Sequence, residues 1–245
     1  MIEPHCLLYA VADDFDANII GTNGLANAPL DIVRTPMAAA LISRHDPAAI
    51  QQLFDEAQAS NVHLLACEFY ACVNALSAGA DILPVRFGTV LPTQSTIATL
   101  VNRNAYSIHD GLERISGQQE WSIRLCYECI ETPAQASLDG RDFLRAKQQA
   151  RADQAGHMQR LDDMTRHLIA SLTHDKKMDM ATQAIGAEDK ACFFHARILA
   201  LRGMTQTLCK TIESALVEFP DVSADVVGPE APYHFGQLDI QRDAA

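Results

Sequence analysis

The chain changes period abruptly, and a single structural layer cannot accommodate both sides of the change. Trp121 to Ile130 alternates residue by residue, with Trp121, Ile123, Leu125 and Tyr127 on one side and Ser122, Arg124, Cys126 and Glu128 on the other. That is the period of a strand with one covered face. Behind Glu131–Leu138, a connector of Thr, Pro, Ala and Ser, the stretch from Arg141 to about Thr173 carries Leu161, Met164, Leu168 and Leu172 at three- and four-residue steps. That is the period of a long helix, for which Asp139 can serve as the cap. The change predicts a domain boundary at the connector, with an N-terminal domain over 1–131 and a C-terminal domain over 139–245. The 245 residues suffice for two separate cores.

In the first domain, Cys6 to Ala12 is apolar on both faces, which predicts a central strand covered on two sides. Gly21, Asn23, Gly24, Asn27 and Pro29 mark a loop, followed by short strands near Asp31–Thr35 and Met37–Ser43. Asp46 and Pro47 start a helix, because the aspartate can accept an orphan N–H and proline's fixed φ suits the first turn. After a break at Ser60–Asn61, a second helix places Val62, Leu65, Phe69, Cys72, Val73 and Leu76 toward the core and ends at Gly79. Asp81 to Leu91 reads as one strand with Leu83, Val85, Phe87 and Leu91 on a shared face; Pro84 points to an edge position or a bulge. Helical pattern resumes after Pro92. These elements predict a mixed sheet with helices.

In the second domain, strands near Met178–Ile185 and Ala191–Leu199 precede a helix carrying Met204, Leu208, Ile212, Ala215, Leu216 and Phe219 on one face, and a last strand near Ala224–Val227 closes a βαβ-like order. The fold class is therefore α+β in two domains.

Charge narrows the function classes. A formal net charge of −12 repels phosphate backbones and anionic membrane surfaces, so nucleic acid is not an expected partner. Asp13, Asp14 and Asp16 arrive too early for a signal segment, and even Val62 to Leu76 is broken by Glu68 and Asn74, so neither secretion nor a membrane span is expected. Seven dispersed cysteines fit reduced thiols in a cytosol. Cys126 and Cys129 form a C-x-x-C that resembles half a zinc site or a redox dithiol, but no second ligand pair accompanies it. The nine histidines stand in no nucleophile elbow, and Gly-rich phosphate cradles are missing. No catalytic, metal or cofactor site is expected. Arg141, Arg145, Lys147 and Arg151 place positive charge at the start of the long helix, beside Asp142 and Asp153. Arg86 fits either an interface anchor or an ion pair with a carboxylate such as Glu68.

Three segments together resemble the gas vesicle protein family GvpL/GvpF: Ile82-Leu-Pro-Val-Arg-Phe-Gly-Thr-Val-Leu-Pro92, Gly140-Arg-Asp-Phe-Leu-Arg-Ala-Lys147 and Gly228-Pro-Glu-Ala-Pro-Tyr-His-Phe235, with Leu8-Tyr-Ala10 at the start. The chain departs from the family pattern at Cys67, where a histidine commonly precedes the glutamate, and at Glu230, Ala231 and His234. The resemblance implies a cytoplasmic, gas-vesicle-associated accessory or minor structural protein, not an enzyme. Its partners would be the small hydrophobic shell protein and other gas vesicle accessory proteins, without cofactor. It also implies a second domain akin to a ferredoxin-like fold with a helical extension over 141–173. A small-ligand-binding or enzymatic ferredoxin-like protein is the alternative. The residues expected to meet partners are Pro84, Arg86, Phe87, Gly88, Arg141, Arg145, Tyr233 and Phe235.

Overall fold

A computed structural model of the chain describes residues 3–19, 22–55, 59–127, 140–174, 178–185 and 191–238. Two compact units divide it: residues up to Glu120 join those from Gly228 onward, and Trp121–Val227 form the other. The expected connector at Glu131–Leu138 lies outside the described residues, as do Asp139 and Cys129.

In the first unit, β1 (His5–Ala12) occupies the middle of the sheet. It pairs on one side with β3 (Ala39–His45), beyond which lies β2 (Leu30–Arg34). On its other side lie two short pieces, β4 (Leu83–Pro84) and β5 (Val90–Leu91). Every residue from Cys6 to Ala12 is buried, as a strand with both faces covered requires. The expected mixed sheet is not found: each ladder described here is antiparallel, and the one parallel pairing described is the bridge between Val85 and Leu238. Two helices carry the chain from β3 past β1, so β4 lies beside β1 and runs against it.

Those helices are α1 (Pro47–Asp55) and α2 (Ala59–Ser77). Asp46 caps α1 as its type dictates, accepting the Ala48 N–H at 2.9 Å and the Ala49 N–H at 3.1 Å. α2 runs through Ser60–Asn61, where a break was expected, and buries Phe69 and Val73. α3 (Gln94–Arg103), capped by Thr93 Oγ1 on the Thr96 N–H at 3.1 Å, and α4 (Ala105–Ile115) bury Ile97, Val101, Ile108, Leu112 and Ile115. One polar chain threads this core. Tyr9 Oη accepts the Leu25 N–H at 2.7 Å and lies 3.0 Å from Ser43 Oγ, which lies 2.7 Å from His45 Nε2. The loop before β2 is thereby tied to the sheet; burial pushes the Tyr9 phenol above its ordinary range and holds the His45 imidazole below it.

In the second unit, β6 (Gln118–Tyr127), α5 (Gly140–His174), β7 (Met178–Thr182), β8 (Cys192–Leu201), α6 (Thr205–Leu216) and β9 (Val222–Glu230) build a four-stranded sheet in the order β7-β8-β6-β9. The unit takes β6 and β9 from Trp121 and as far as Val227. Trp121, Ile123 and Leu125 meet Leu161, Met164, Leu168 and Leu172 of α5 and Leu208 and Ile212 of α6 in one core. The alternating and helical stripes read from the sequence are the two sides of this core.

Candidate interaction surfaces

The stretch expected as one strand over 81–91 is two strand fragments around a turn. Val11 pairs with Leu83 and Leu7 with Val90, so four steps along β1 face seven along the partner, and three residues must loop out. Arg86, Phe87 and Gly88 are those residues. The turn closes through the Arg86 carbonyl, which accepts the Thr89 N–H at 3.3 Å and the Thr89 hydroxyl at 2.7 Å. Gly88 holds φ at +81°, a conformation that disfavours side chains. The Phe87 ring turns inward, 5.5 Å from Phe54 and 5.4 Å from Phe69, which stacks on Tyr9 at 5.0 Å. Phe87 and Gly88 are half-buried and Arg86 is exposed, so the motif clamps α1 and α2 to the sheet and displays one side chain, the arginine. Arg86 makes no ion pair with Glu68, whose Oε1 accepts the Ala26 N–H at 3.1 Å.

Pro84 and Phe235 were expected on a binding surface, and both are buried. The C-terminal segment folds into the first unit as a plug. Asn74 Oδ1 accepts the Ala231 N–H at 2.9 Å, Glu120 Oε2 accepts the His234 N–H at 2.7 Å, and the Pro84 carbonyl accepts the Leu238 N–H at 3.0 Å. Between these anchors the short helix α7 (Tyr233–Gly236) lays Phe235 under the Arg114 guanidinium, 5.7 Å from the ring centroid. Pro84 does mark an edge, as expected, but the tail lies against that edge, so no free strand edge is offered beside it. Tyr233 is half-buried, edge-on to Tyr70 at 5.0 Å. Its hydroxyl has no hydrogen-bond partner among the described residues, and burial pushes the phenol far above its ordinary range.

The surface that the sequence reading missed is the outer face of α2. Leu64, Cys67, Ala71 and Ala75 are exposed at three- and four-residue steps, Leu64 by 66%, and Val62 and Tyr70 flank them. From Ala59 to Ser77 the helix carries one carboxylate, Glu68, and one imidazole, His63, whose Nδ1 lies 3.6 Å from Cys67 Sγ, and no lysine or arginine. The expected inward stripe is right at Phe69 and Val73 and wrong at Val62, which is exposed. α4, by contrast, shows solvent the His109–Glu113 contact of 3.4 Å. A surface helix ordinarily carries such a charged outer face. The scarcity of charge through 59–77, where Glu68 is the sole residue among Asp, Glu, Lys and Arg, is the signal that was available in the sequence.

In the second unit, α5 buries its C-terminal half and displays its N-terminal half. Arg141 and Arg145 are exposed, the latter 4.0 Å from Asp142, and Phe143 and Leu144 are 44% and 60% exposed. Lys147 reaches back over the Phe143 ring at 6.0 Å. Lower on the same helix, His157 lies 3.6 Å from Asp221 and edge-on to Tyr127 at 6.0 Å. Among the described residues no three His, Cys, Asp or Glu side chains group to hold a metal ion. Asp14 is occupied by the Phe15 N–H and by Arg34 Nε at 2.9 Å, which together hold its carboxyl below the usual range. No described helix is long and apolar enough to cross a membrane.

Comparison with known proteins places this architecture. The fold matches crystal structures of the gas vesicle protein GvpF from Anabaena sp. PCC7120, with a TM-score of 0.70 and 15% identity over 97% of this chain and 98% of that one, and from Microcystis aeruginosa, with 0.69 and 18% over 96% and 99%. Gas vesicle protein L of Streptomyces sp. (strain CB03234) is 27% identical over 183 residues, which is 69% of this chain and 67% of that protein. The family model described as gas vesicle synthesis protein GvpL/GvpF matches residues 5–237, and from that span the chain belongs to the GvpL/GvpF family of gas vesicle synthesis proteins.

Proposed function

We propose that the protein acts in gas vesicle formation by binding rather than by catalysis, shielding the hydrophobic shell protein and engaging other assembly factors in the cytoplasm. Family membership supplies the gas vesicle role. The observation that carries the finer reading is the uncharged, exposed stripe Leu64, Cys67, Ala71 and Ala75 on α2.

A shell protein with one face against gas exposes apolar surface before assembly, and covering such surface gains roughly 25 cal/mol per Å². An exposed apolar helix face is a device for covering it reversibly, because small side chains let a partner helix approach closely. Arg86 on the first unit and, separately, Arg141 and Arg145 beside Phe143 and Leu144 on the second are exposed cations that can select partners. Pro84 and Phe235, being buried, hold these surfaces in shape rather than touching a partner.

The test replaces Leu64 and Ala71 together with glutamate and measures shell-protein pull-down by the full chain alongside vesicle yield in cells. Both are expected to fall sharply while the thermal midpoint stays near that of the unaltered chain. Undiminished pull-down by a folded variant removes α2 as the binding face. Turnover of a metabolite by the purified protein removes the binding-only reading.

A further inference from the structure

α5 is longer than the core it packs on. Leu161, Met164, Leu168 and Leu172 of its C-terminal half enter the core of the second unit. Over residues 141–156 every side chain is exposed except that of Ala146, which is half-buried. These residues form an arm about 24 Å long. Helices in proteins are held mainly by what they pack against, and Gly156 weakens this one further. Such an arm is stabilised by a surface laid along it.

The C-terminal half of the same helix offers a seat. Between α5 and α6 the surface sinks into two adjoining hollows of about 530 and 440 Å³, which share His167, Ser214 and Ala215. The first is also lined by Asp163 and Glu218, the second by Ser171 and Thr207, so the two helices run in opposite directions along one groove. From Asp163 to Ser171 the groove is about 12 Å long. Met164, Ala215 and Phe219 make its floor partly apolar, and Val217 stands beside them at 78% exposure. Its charges are sorted by end: Asp163 and Glu218 at one, Lys210 at the other, His167 between them.

The arm carries the opposite charges in the matching order. Arg145 and Asp142 lie one turn apart, their side chains 82% and 61% exposed. Laid antiparallel to α5, the arm brings Arg145 to the acidic end and Asp142, nearer the helix start, to the Lys210 end. Ala146 and Ala150, on the side of the arm that then faces α6, are small enough to let it approach. Residues 141–156 hold four basic and two acidic side chains within a chain of net charge −12, so the arm is drawn toward the remainder of such a chain. It cannot reach its own groove, because arm and groove wall are consecutive parts of one continuous helix. A second molecule can. Two copies of α5 crossing antiparallel near Gly156 place each arm in the groove of the other, a closed two-fold arrangement. A Cβ at Gly156 would meet no atom within 4 Å, so the crossing point is open to a close neighbour.

We propose that two copies of this chain associate by seating the displayed half of each α5 in the α5–α6 groove of the other, with Arg145 against Asp163 and Glu218 and Asp142 against Lys210. Arg145 leaves Asp142 for this contact, and Asp163 shares its carboxylate with Arg166 at 2.6 Å. These charges meet solvent, so salt weakens the association. The inference stands apart from the proposed shell-protein binding, since it concerns the second unit and is read on the purified chain alone.

The experiment follows the full chain by sedimentation equilibrium at rising concentration. A monomer–dimer equilibrium that moves toward monomer as salt is added is expected. Arg145→Glu, and a second variant carrying Asp163→Arg with Glu218→Arg, should each keep the monomer mass where the unaltered chain shows the dimer mass, because like charges then meet in both halves of the pair. Mixed in equal amounts, the two variants should regain the dimer mass, since each arm now finds a groove of opposite sign. All three positions are exposed, so thermal midpoints should stay near that of the unaltered chain, and the regained dimer reports pairing rather than the fold of either variant. A chain that stays monomeric at every concentration, variants that dimerise as readily as the unaltered chain, or a mixture that remains monomeric overturns the proposal. So does a loss of shell-protein pull-down in variants whose self-association is unchanged, which would give the arm to that partner instead.

Discussion

The Leu238 N–H meets the Pro84 carbonyl at 3.0 Å, so the last described residue of the chain closes the sheet edge that its middle leaves open. The first unit is therefore discontinuous in sequence: the chain leaves it at Glu120 and re-enters at Gly228. Phe235 is the ring that seats this plug, at 8% exposure. Phe235→Ala should lower stability by about 3 kcal/mol in urea titration of the full chain, the cost of removing a buried phenyl group and leaving a cavity. A change below about 0.5 kcal/mol, the ordinary surface range, would mean the tail is a passive appendage.

The Tyr9 hydroxyl serves both Leu25 and Ser43 inside the core. Tyr9→Phe keeps the stacking on Phe69 and strips the buried Leu25 N–H of its acceptor. A loss of about 1 to 3 kcal/mol is expected, with earlier hydrogen exchange at Leu25 than in the unaltered chain. Unchanged exchange there would show that the loop before β2 is held by other contacts.

Neighbouring residues of the Arg86–Gly88 turn should behave oppositely. Gly88→Ala meets no closer atom than Phe54 Cε1 at 3.8 Å, so its cost is backbone strain at φ +81°, about 1 to 2 kcal/mol. Arg86→Ala should leave the thermal midpoint nearly unmoved and weaken shell-protein pull-down. If Arg86→Ala destabilises the chain as much as Gly88→Ala does, the arginine belongs to the clamp rather than to a surface.

Burial holds His45 below its ordinary 6.5, so the unfolded chain binds a proton that the folded chain resists. Between the two values the unfolded state carries more protons, and stability rises with pH. The contribution is complete above pH 6.5 and is lost as pH falls from there through the lower folded value. His195, lowered by burial and then by Arg197 and Arg124, works in the same direction. Thermal midpoints measured from pH 8 down to pH 5 should drop more steeply for the unaltered chain than for His45→Gln. Parallel curves would place the acid sensitivity elsewhere.

Leu64→Glu alone, on the uncharged face of α2, should leave the folded state within about 0.5 kcal/mol, because the side chain already meets solvent. Urea titration checks this, and a large loss would mean that the face is covered within the chain. This control decides whether lost pull-down in the glutamate double variant reports binding or folding.

Elements with strong local periods were legible. The doubly apolar run of β1, the Asp46–Pro47 start of α1, the alternation of β6 and the stripes of α5 and α6 each repeat at the spacing of the structure they form. The candidate surfaces were legible only in part. Arg86, Arg141 and Arg145 are displayed as expected, whereas Pro84 and Phe235 are not, and the α2 face was passed over. Reading α2 as an inward stripe of Val62, Leu65, Phe69, Cys72, Val73 and Leu76 left its opposite face unweighed, although Phe69 and Val73 are its fully covered large side chains. A period reports which residues share a face, not whether anything covers it.

What the sequence determined by itself was therefore the kind of each long element, the α+β class and the family, since these rest on spacing within a few residues or on short motifs. The tertiary structure alone decided that the Arg86–Gly88 motif is a turn, that β1 is flanked by antiparallel partners, and that the tail belongs to the first unit. Ala231 and Asn74 are 157 positions apart, and His234 and Glu120 are 114 apart. A hydrogen bond across such a distance leaves no periodic trace, because its two ends share neither a face nor a turn until the intervening chain has folded between them.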